Sequence, residues 1–241
     1  MIDNNEGTVS AVMCSDRLTA PQKRNLSFTD DFSGSPLSCE WSFLRTLPGR
    51  RAEVAPEGHG LKLTGAAATL KDAAPSVFVC RRQQSLRMRV RTLLSFIPAR
   101  EGEEAGIAIR LSDEAHLTLG RVRKRNRHII VSTAVDYAIP RRLLKEQLPE
   151  TGEIHLELVS DGRDYMMNYS LDGMEWRTAG RYPMSRMSPE VNWCFTGACV
   201  GMYATGNGNE CVTPAYFRYF EYRDDDPLPS GCPDLQEGLT I

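Results

Sequence analysis

No apolar run in this 241-residue chain approaches the roughly 20 residues that a helix needs to cross a bilayer. The opening stretch, MIDNNEGTVSAVMCSDRLTA, has no basic segment leading into an apolar one and does not read as a secretion signal. These two absences predict a cytoplasmic protein without a membrane partner. An excess of charge is lacking too: 29 Lys and Arg oppose 31 Asp and Glu, a formal balance of −2 that gives no reason to expect nucleic acid. The seven cysteines, at 14, 39, 80, 194, 199, 211 and 232, are odd in number, scattered, and never spaced as CxxC or beside a His pair. That argues against a disulfide framework and a zinc site, and for free, mostly buried thiols. No segment has the GK[ST] ending of a phosphate loop or the spacing of a nucleophile elbow.

What the chain does have is short apolar and aromatic runs, separated every 8–12 residues or so by Gly, Pro, Asn and Asp, the pattern of an all-β sandwich. Twelve strands are predicted, from WSFLRTL through GLKLTG, SVFVCRRQ, LRMRVRTLLSFI, AGIAIRLS, HLTLGRVR, HIIVSTAV, EIHLELVSD, DYMMNYSLD, WRTAGRY and CFTGACVGMYATG to AYFRYFEYR. In LRMRVRTLLSF, Leu86, Met88 and Val90 share one face and Arg87, Arg89 and Arg91 the other. In EIHLELVSD, Leu156 and Leu158 oppose His155, Glu157 and Val159. Asp172-Gly173 between two alternating runs predicts a hairpin. PRRLLKEQLPETG, with Leu and charges at three and four spacing between prolines, reads as at most two helical turns or a loop. Residues 1–25 read as a poorly ordered arm, 26–223 as one sandwich and 224–241 as a flexible tail.

The order of these segments, from about Phe28 to Tyr222, resembles the concanavalin A-like β-sandwich that follows the catalytic propeller in glycoside hydrolase family 43. The landmarks are DDFSG with LSCEWSFLR, GLKLTG, FVCRRQ, AGIAIRLSDEAHLTL, DGRDYMMNYSLDGMEW, FTGACVGMYATG and AYFRYFEY. The resemblance implies a jelly-roll of two stacked antiparallel sheets. It implies no glycosidase carboxylates, because the family carries those on a five-bladed propeller ahead of the sandwich and only about 25 residues stand there here. The implied role is a non-catalytic, carbohydrate-associated module that binds a saccharide or docks on a separately encoded hydrolase. The resemblance also implies a structural calcium, with Asp30 and Asp31 as its candidate ligands, although Arg218 stands where the family's closing strand tends to carry an acid. No other cofactor is expected.

A sugar site on a sheet needs an aromatic platform and a few fixed polar groups, for which the candidates are Arg82, Gln83, Arg110, His116, Glu157, Asn168, Trp193 and Tyr203, with Trp176 and Asn192 beside them. The competing readings are structural: Arg82 as a satisfied arginine, and Trp41, Trp176 and Trp193 as core. The run GRVRKRNRHII reads as a solvated hairpin tip, since no aromatics are interleaved for base stacking. A second function keeps the sandwich as an enzyme in its own right, a lyase, isomerase or cyclase acting on a small molecule. Glu157 and His116 are its weak catalytic candidates, whereas Asp113 and Glu114 read as turn residues facing water. In WCFTGACVGMYATG, Gly197 and Gly201 flank a core strand and permit close backbone approach, and no basic residue adjoins Cys194 or Cys199 in sequence to activate a thiol.

Overall fold

Strands and almost no helix make up the computed structural model, which describes residues 25–226 apart from 35, 46, 48 and 151. In chain order the first eight strands are β1 (Phe28–Asp30), β2 (Ser42–Phe43), β3 (Ala52–Val54), β4 (Leu61–Leu63), β5 (Val77–Arg82), β6 (Arg87–Ser95), β7 (Glu104–Arg110) and β8 (His116–Lys124). They are followed by β9 (Arg127–Asp136), β10 (Ile139–Gln147), β11 (Ile154–Asp161), β12 (Asp164–Ser170), β13 (Arg177–Pro183), β14 (Cys199–Thr205), β15 (Ala215–Phe217) and β16 (Phe220–Asp224). The compact unit spans Leu26–Asp226. The expected arm and tail therefore lie outside the described residues, apart from Asn25 and residues 224–226. Those last residues belong to the sandwich, because Asp226 accepts the backbone N–H groups of Leu86 and Arg87. No helix among the described residues is long and apolar enough to cross a membrane.

Two antiparallel sheets follow from the alternation. The first, of nine strands, runs β13-β12-β11-β6-β15-β4-β3, with β16 pairing β6 beside β15 and β1 pairing β16; the second, of seven, runs β10-β9-β8-β7-β14-β5-β2. Each sheet turns one parity inward. Met88, Val90 and Leu94 of β6, and Ile154, Leu156 and Leu158 of β11, face Ile107 and Ile109 of β7, Leu117 and Leu119 of β8, and Val200 and Met202 of β14 in one core. Burying each such side chain contributes about 1.5–3 kcal/mol. Leu86, expected on the inner face, lies before the strand and is 67% exposed.

On the outer face of the first sheet Arg87 of β6 stands opposite Asp161, whereas Arg89 lies between Val159 and Arg223. Arg91 pairs in register with Glu157 on one side and Glu221 on the other, and its Nε donates to Glu157 at 2.6 Å. Trp41 is core, as the structural reading has it: it packs edge-on against Phe220 and donates its indole N–H to Asp30 at 2.8 Å.

PRRLLKEQ is neither helix nor loop but the strand β10, at the edge of the second sheet. It returns from β9 through Tyr137 and Ala138, at φ 50° and 62°, a two-residue turn of the type that normally recruits Gly or Asn. The β8–β9 hairpin turns in the same way on Arg125 and Asn126, so the basic run does end in a solvated tip. Its first member, Arg121, instead points inward and donates to the carbonyls of Pro149 and Gly152. The hairpin at Asp172-Gly173 is present, with its second strand starting only at Arg177.

One buried acid ties the β6–β7 connection to the segment before β15. Glu103, 1% exposed, accepts the N–H groups of Ala99, Arg100, Val212 and Thr213 and the hydroxyl of Thr213. Burial alone would raise its carboxyl, but these donors hold it at about 2, below the ordinary 4.5. A depressed folded pKa gives stability that is complete above the unfolded value and is lost as pH falls from about 4.5 toward about 2. Glu103→Gln is expected to lower stability near neutrality by roughly 2 kcal/mol and to flatten this acid limb, as read from denaturant melts across the acid range. An unchanged acid limb would show that other groups carry it.

Candidate functional site

Tyr203, Glu104 and two glycines shape a groove of about 640 Å³ on the outer face of the second sheet. The pairing register lays this face out in rows. One row runs Arg82, Cys199, Arg110, His116, Val135 and Pro140; the next runs Cys80, Gly201, Ala108, Thr118, Thr133 and Arg142. A third runs Phe78, Tyr203, Gly106, Gly120, Val131 and Lys145. The floor is low where the side chains are small, and the Tyr203 phenol lies across it. A Cβ at Gly120 would come within 2.5 Å of the Tyr203 hydroxyl, and one at Gly106 within 2.0 Å of the Leu119 carbonyl oxygen. The segment holding Leu70 walls one side, packed on Phe78 and Tyr203, while β9 and β10 wall the other with Val135, Pro140 and Arg142.

The polar groups of the groove are set from beneath and from its ends. Tyr203 donates to Glu104 Oε1 at 2.5 Å, and Asn207 donates to Glu104 Oε2 at 2.9 Å. Burial, followed by the charge of Glu104, pushes the Tyr203 phenol well above its ordinary value, so it stays a donor. At the opposite end, Asp113 receives Arg45 and Arg110 together. Burial works to raise that carboxyl, yet the two guanidiniums hold it below its usual range. His116, 5% exposed beside Arg110, is lowered to about 4, first by burial and then by the arginine charge, and its Nδ1 is enclosed without a hydrogen-bond partner among the described residues. Thr118, Thr133, Arg142 and Lys71 line the middle.

Of the residues singled out in the sequence, Arg110, His116 and Tyr203 share this face, the last two lining the groove itself. Arg82 lies on the same face but donates to the Gly197 carbonyl. Gln83 is occupied between the strands, donating to the Ser85 carbonyl and accepting from Tyr165. Glu157 and Asn168 do not join them. They stand on the outer face of the first sheet, where Glu157 accepts from Arg91 at 2.6 Å and from Asn168 at 2.8 Å, with the Arg91 guanidinium over Trp176 at 4.8 Å. A carboxylate with both oxygens so engaged is a cross-strand tie.

Asn192 closes the short helix α1 (Pro189–Asn192), donating to the carbonyls of Arg186 and Ser188. Trp193 follows in the left-handed region, at φ 50° and ψ 43°. It is not core: it is 92% exposed and Phe195 is 107% exposed, at the tip of the segment between β13 and β14. Glu104, Asn207, Thr118, Thr133 and Arg142 were not anticipated. Alternation could have flagged Thr118 and Thr133, whereas Glu104 reads as one more turn acid in EGEEAG.

Asp30 and Asp31 do not by themselves make a calcium cage. Asp30 accepts from Phe32 N and Trp41 Nε1, Asp31 accepts from Ser33 N, and the ion needs six or more oxygens. Among the described residues no group of three or more His, Cys, Asp or Glu gathers as a metal site. Arg218 is taken up by Glu153 at 3.0 Å.

Two stacked antiparallel sheets with this strand order make the protein a concanavalin A-like sandwich. Residues 29–223 match the β-xylosidase C-terminal concanavalin A-like domain, and the chain belongs to that family. It is 29% identical over 202 residues to the non-reducing end α-L-arabinofuranosidase BoGH43B of Bacteroides ovatus, a match covering 80% of this chain and 36% of that protein. Among solved structures it is similar to the Bacteroides ovatus xyloglucan PUL GH43B, with a TM-score of 0.80, 25% identity, and coverage of 92% of this chain and 44% of the other. It is also similar to a mutant of the GH43 protein BlXynB of Bacillus licheniformis, with a TM-score of 0.76, 25% identity, and coverage of 81% and 39%. The chain thus spans well under half the length of these relatives.

His116 gives the groove a direct readout. Its folded pKa lies below the ordinary 6.5, so the unfolded chain binds the extra proton and stability is lost as pH falls from about 6.5 through about 4. Imidazole resonances of His116 are expected to titrate near the lower value, and His116→Gln is expected to remove that part of the pH dependence. Titration at the ordinary value would contradict the enclosed placement.

Proposed function

We propose that this chain is the supporting sandwich of a family 43 glycoside hydrolase, docking a catalytic domain, on the same chain or another, through the segment between β13 and β14. The observation that carries this reading is the pair of exposed aromatics, Trp193 and Phe195, on a braced support. Large aromatics left in water on a fixed backbone are what interfaces use as anchors. The bracing is specific. Ser188 accepts from Val191 N, Cys194 N donates to the Pro189 carbonyl, Tyr137 reaches the Val191 carbonyl, and Arg82 holds Gly197. A cavity of about 660 Å³, lined by Tyr165, Met184, Met187 and Pro189 among others, opens beside the same segment and offers a socket for a partner side chain. The relatives' greater length supports a partner domain as the occupant.

The saccharide on which such an assembly works is of the arabinofuranosyl or xylosyl class, by similarity to the relatives' named activities. A family 43 catalytic domain expressed without its own sandwich is expected to bind this chain, and Trp193→Ala with Phe195→Ala to weaken that binding at least about a hundredfold, as read by calorimetry. Lack of association by the unmodified chain would remove the reading.

A second reading uses the groove. Its size suits a small molecule or a short saccharide, and the neutral His116, the Thr133 hydroxyl and the cations Arg142 and Lys71 supply polar groups along its walls and floor. On this reading the sandwich binds, or acts as a lyase, isomerase or cyclase upon, a ligand with anionic or hydroxyl oxygens. Xylo- and arabino-oligosaccharides and small carboxylates are the probes. Binding heat lost in Arg142→Ala, together with ligand-dependent shifts of the His116 resonances, is the expected result, and silence from both series would remove this reading without touching the docking one.

A further inference from the structure

Cys199 and Cys80 stand on neighbouring strands of the second sheet with both side chains on the outer face. Cys80 pairs directly with Gly201, two residues along from Cys199. Nothing separates the two thiols, because Gly201 has no side chain and a Cβ there would fall 2.7 Å from the Cys80 Cβ. Cys80 donates its S–H to the Ser42 carbonyl at 3.6 Å, leaving its sulfur lone pairs toward Cys199. Their surroundings are asymmetric. Cys80 is buried on Phe78 and Leu70, with its Sγ 3.6 Å from the Ser42 carbonyl, whereas Cys199 is only partly buried. The register also places Cys199 directly between two cations, Arg82 on β5 and Arg110 on β7. No acid competes in that row. Asp113, the nearest carboxylate to Arg110, is shared with Arg45, and His116 beyond Arg110 is neutral near pH 7.

We propose that Cys199 and Cys80 form an oxidisable dithiol, in which Cys199 is the peroxide-reactive thiolate and Cys80 resolves it to an intramolecular disulfide. The Cys199 thiolate sulfur attacks one oxygen of a hydroperoxide; the O–O bond breaks as the S–O bond forms, sulfur is oxidised by two electrons, and the leaving oxygen takes a proton and departs as water or an alcohol. The Cys80 sulfur then displaces the hydroxyl of the Cys199 sulfenic acid, the S–S bond forms, and the Cys80 proton leaves with the hydroxyl as water. Electrostatics agree with the assignment of roles. The Cys199 thiol is lowered from its ordinary value, first by the neighbouring Cys80 and then, against burial, by the charges of Arg82 and Arg110. The neighbouring Cys199, together with burial, raises Cys80, which suits it to keep its proton until the second step.

The test uses the full reduced chain treated with hydrogen peroxide, with peptide mapping by mass spectrometry. Cys39, an exposed thiol on the same chain, is the internal reference. The expected result is a Cys80–Cys199 disulfide formed at least about tenfold faster than Cys39 is oxidised. Cys80→Ser is expected to convert the disulfide into a dimedone-trappable sulfenic acid on Cys199, and Cys199→Ser to abolish both. Both variants replace sulfur by oxygen with little change of volume, and thermal melts are the check that they fold. Alkylation of Cys199 no faster than that of Cys39 near pH 7, or a wild-type chain that traps dimedone without forming the disulfide, would overturn the proposal.

Discussion

Strand parity is the constraint on which the rest of the molecule depends. Once Val200, Met202 and Ala204 are committed to the interior of β14, Cys199, Gly201, Tyr203 and Thr205 have to face out. The same commitment on β5, β7, β8 and β9 brings Arg82, Arg110, His116, Thr118 and Thr133 onto that outer face. The groove, the row of cations beside it and the thiol pair are therefore one consequence of burying the opposite side. A one-residue slip in any of these strands would send its groove residues into the core and its leucines into water, which is why register here is strongly specified.

The architecture was legible because alternation needs only local sequence: every predicted strand falls on or against an observed one. Three observed strands have no predicted counterpart: the three-residue β1 and β3, and the nine-residue β10. β10 was missed because Tyr137-Ala138 carries neither Gly nor Asn to announce a hairpin, and because at a sheet edge its Leu and charged residues need not alternate cleanly. Site residues were legible by type but not by location. Parity tells that Glu157, Asn168, His116 and Arg110 point outward, but it does not tell from which of two sheets, and they divide between the two. The activation of Cys199 was invisible for the same reason, since its basic neighbours are 117 and 89 residues away in sequence, at Arg82 and Arg110, and meet it only through pairing. Of the two readings of Trp193, the core one fails, because its left-handed position after α1 leaves it exposed.

Buried charge in this fold is spent on joining segments. Glu103 gathers four backbone N–H groups, Arg121 gathers two carbonyls, and Asp136 takes the Tyr182 hydroxyl at 2.7 Å. Each leaves loops on a framework that the apolar core alone would not position. Against that background the two outer faces differ: on the first sheet Glu157 takes up Arg91 and Asn168 across the strands, while the second sheet leaves a recess.

The edge at β10 carries a consequence of its own. A nine-residue strand at a sheet margin presents a row of backbone donors and acceptors onto which another chain's strand could add, the first step of fibril growth. Here Pro140 removes one donor, the register breaks between Arg142 and Leu144, and Arg141, Arg142 and Lys145 give the margin a common positive charge. Two such edges approaching one another would meet like charge and mismatched spacing. The sandwich is thereby guarded against polymerising through its open side, and a module so guarded can be joined to other domains without recruiting copies of itself.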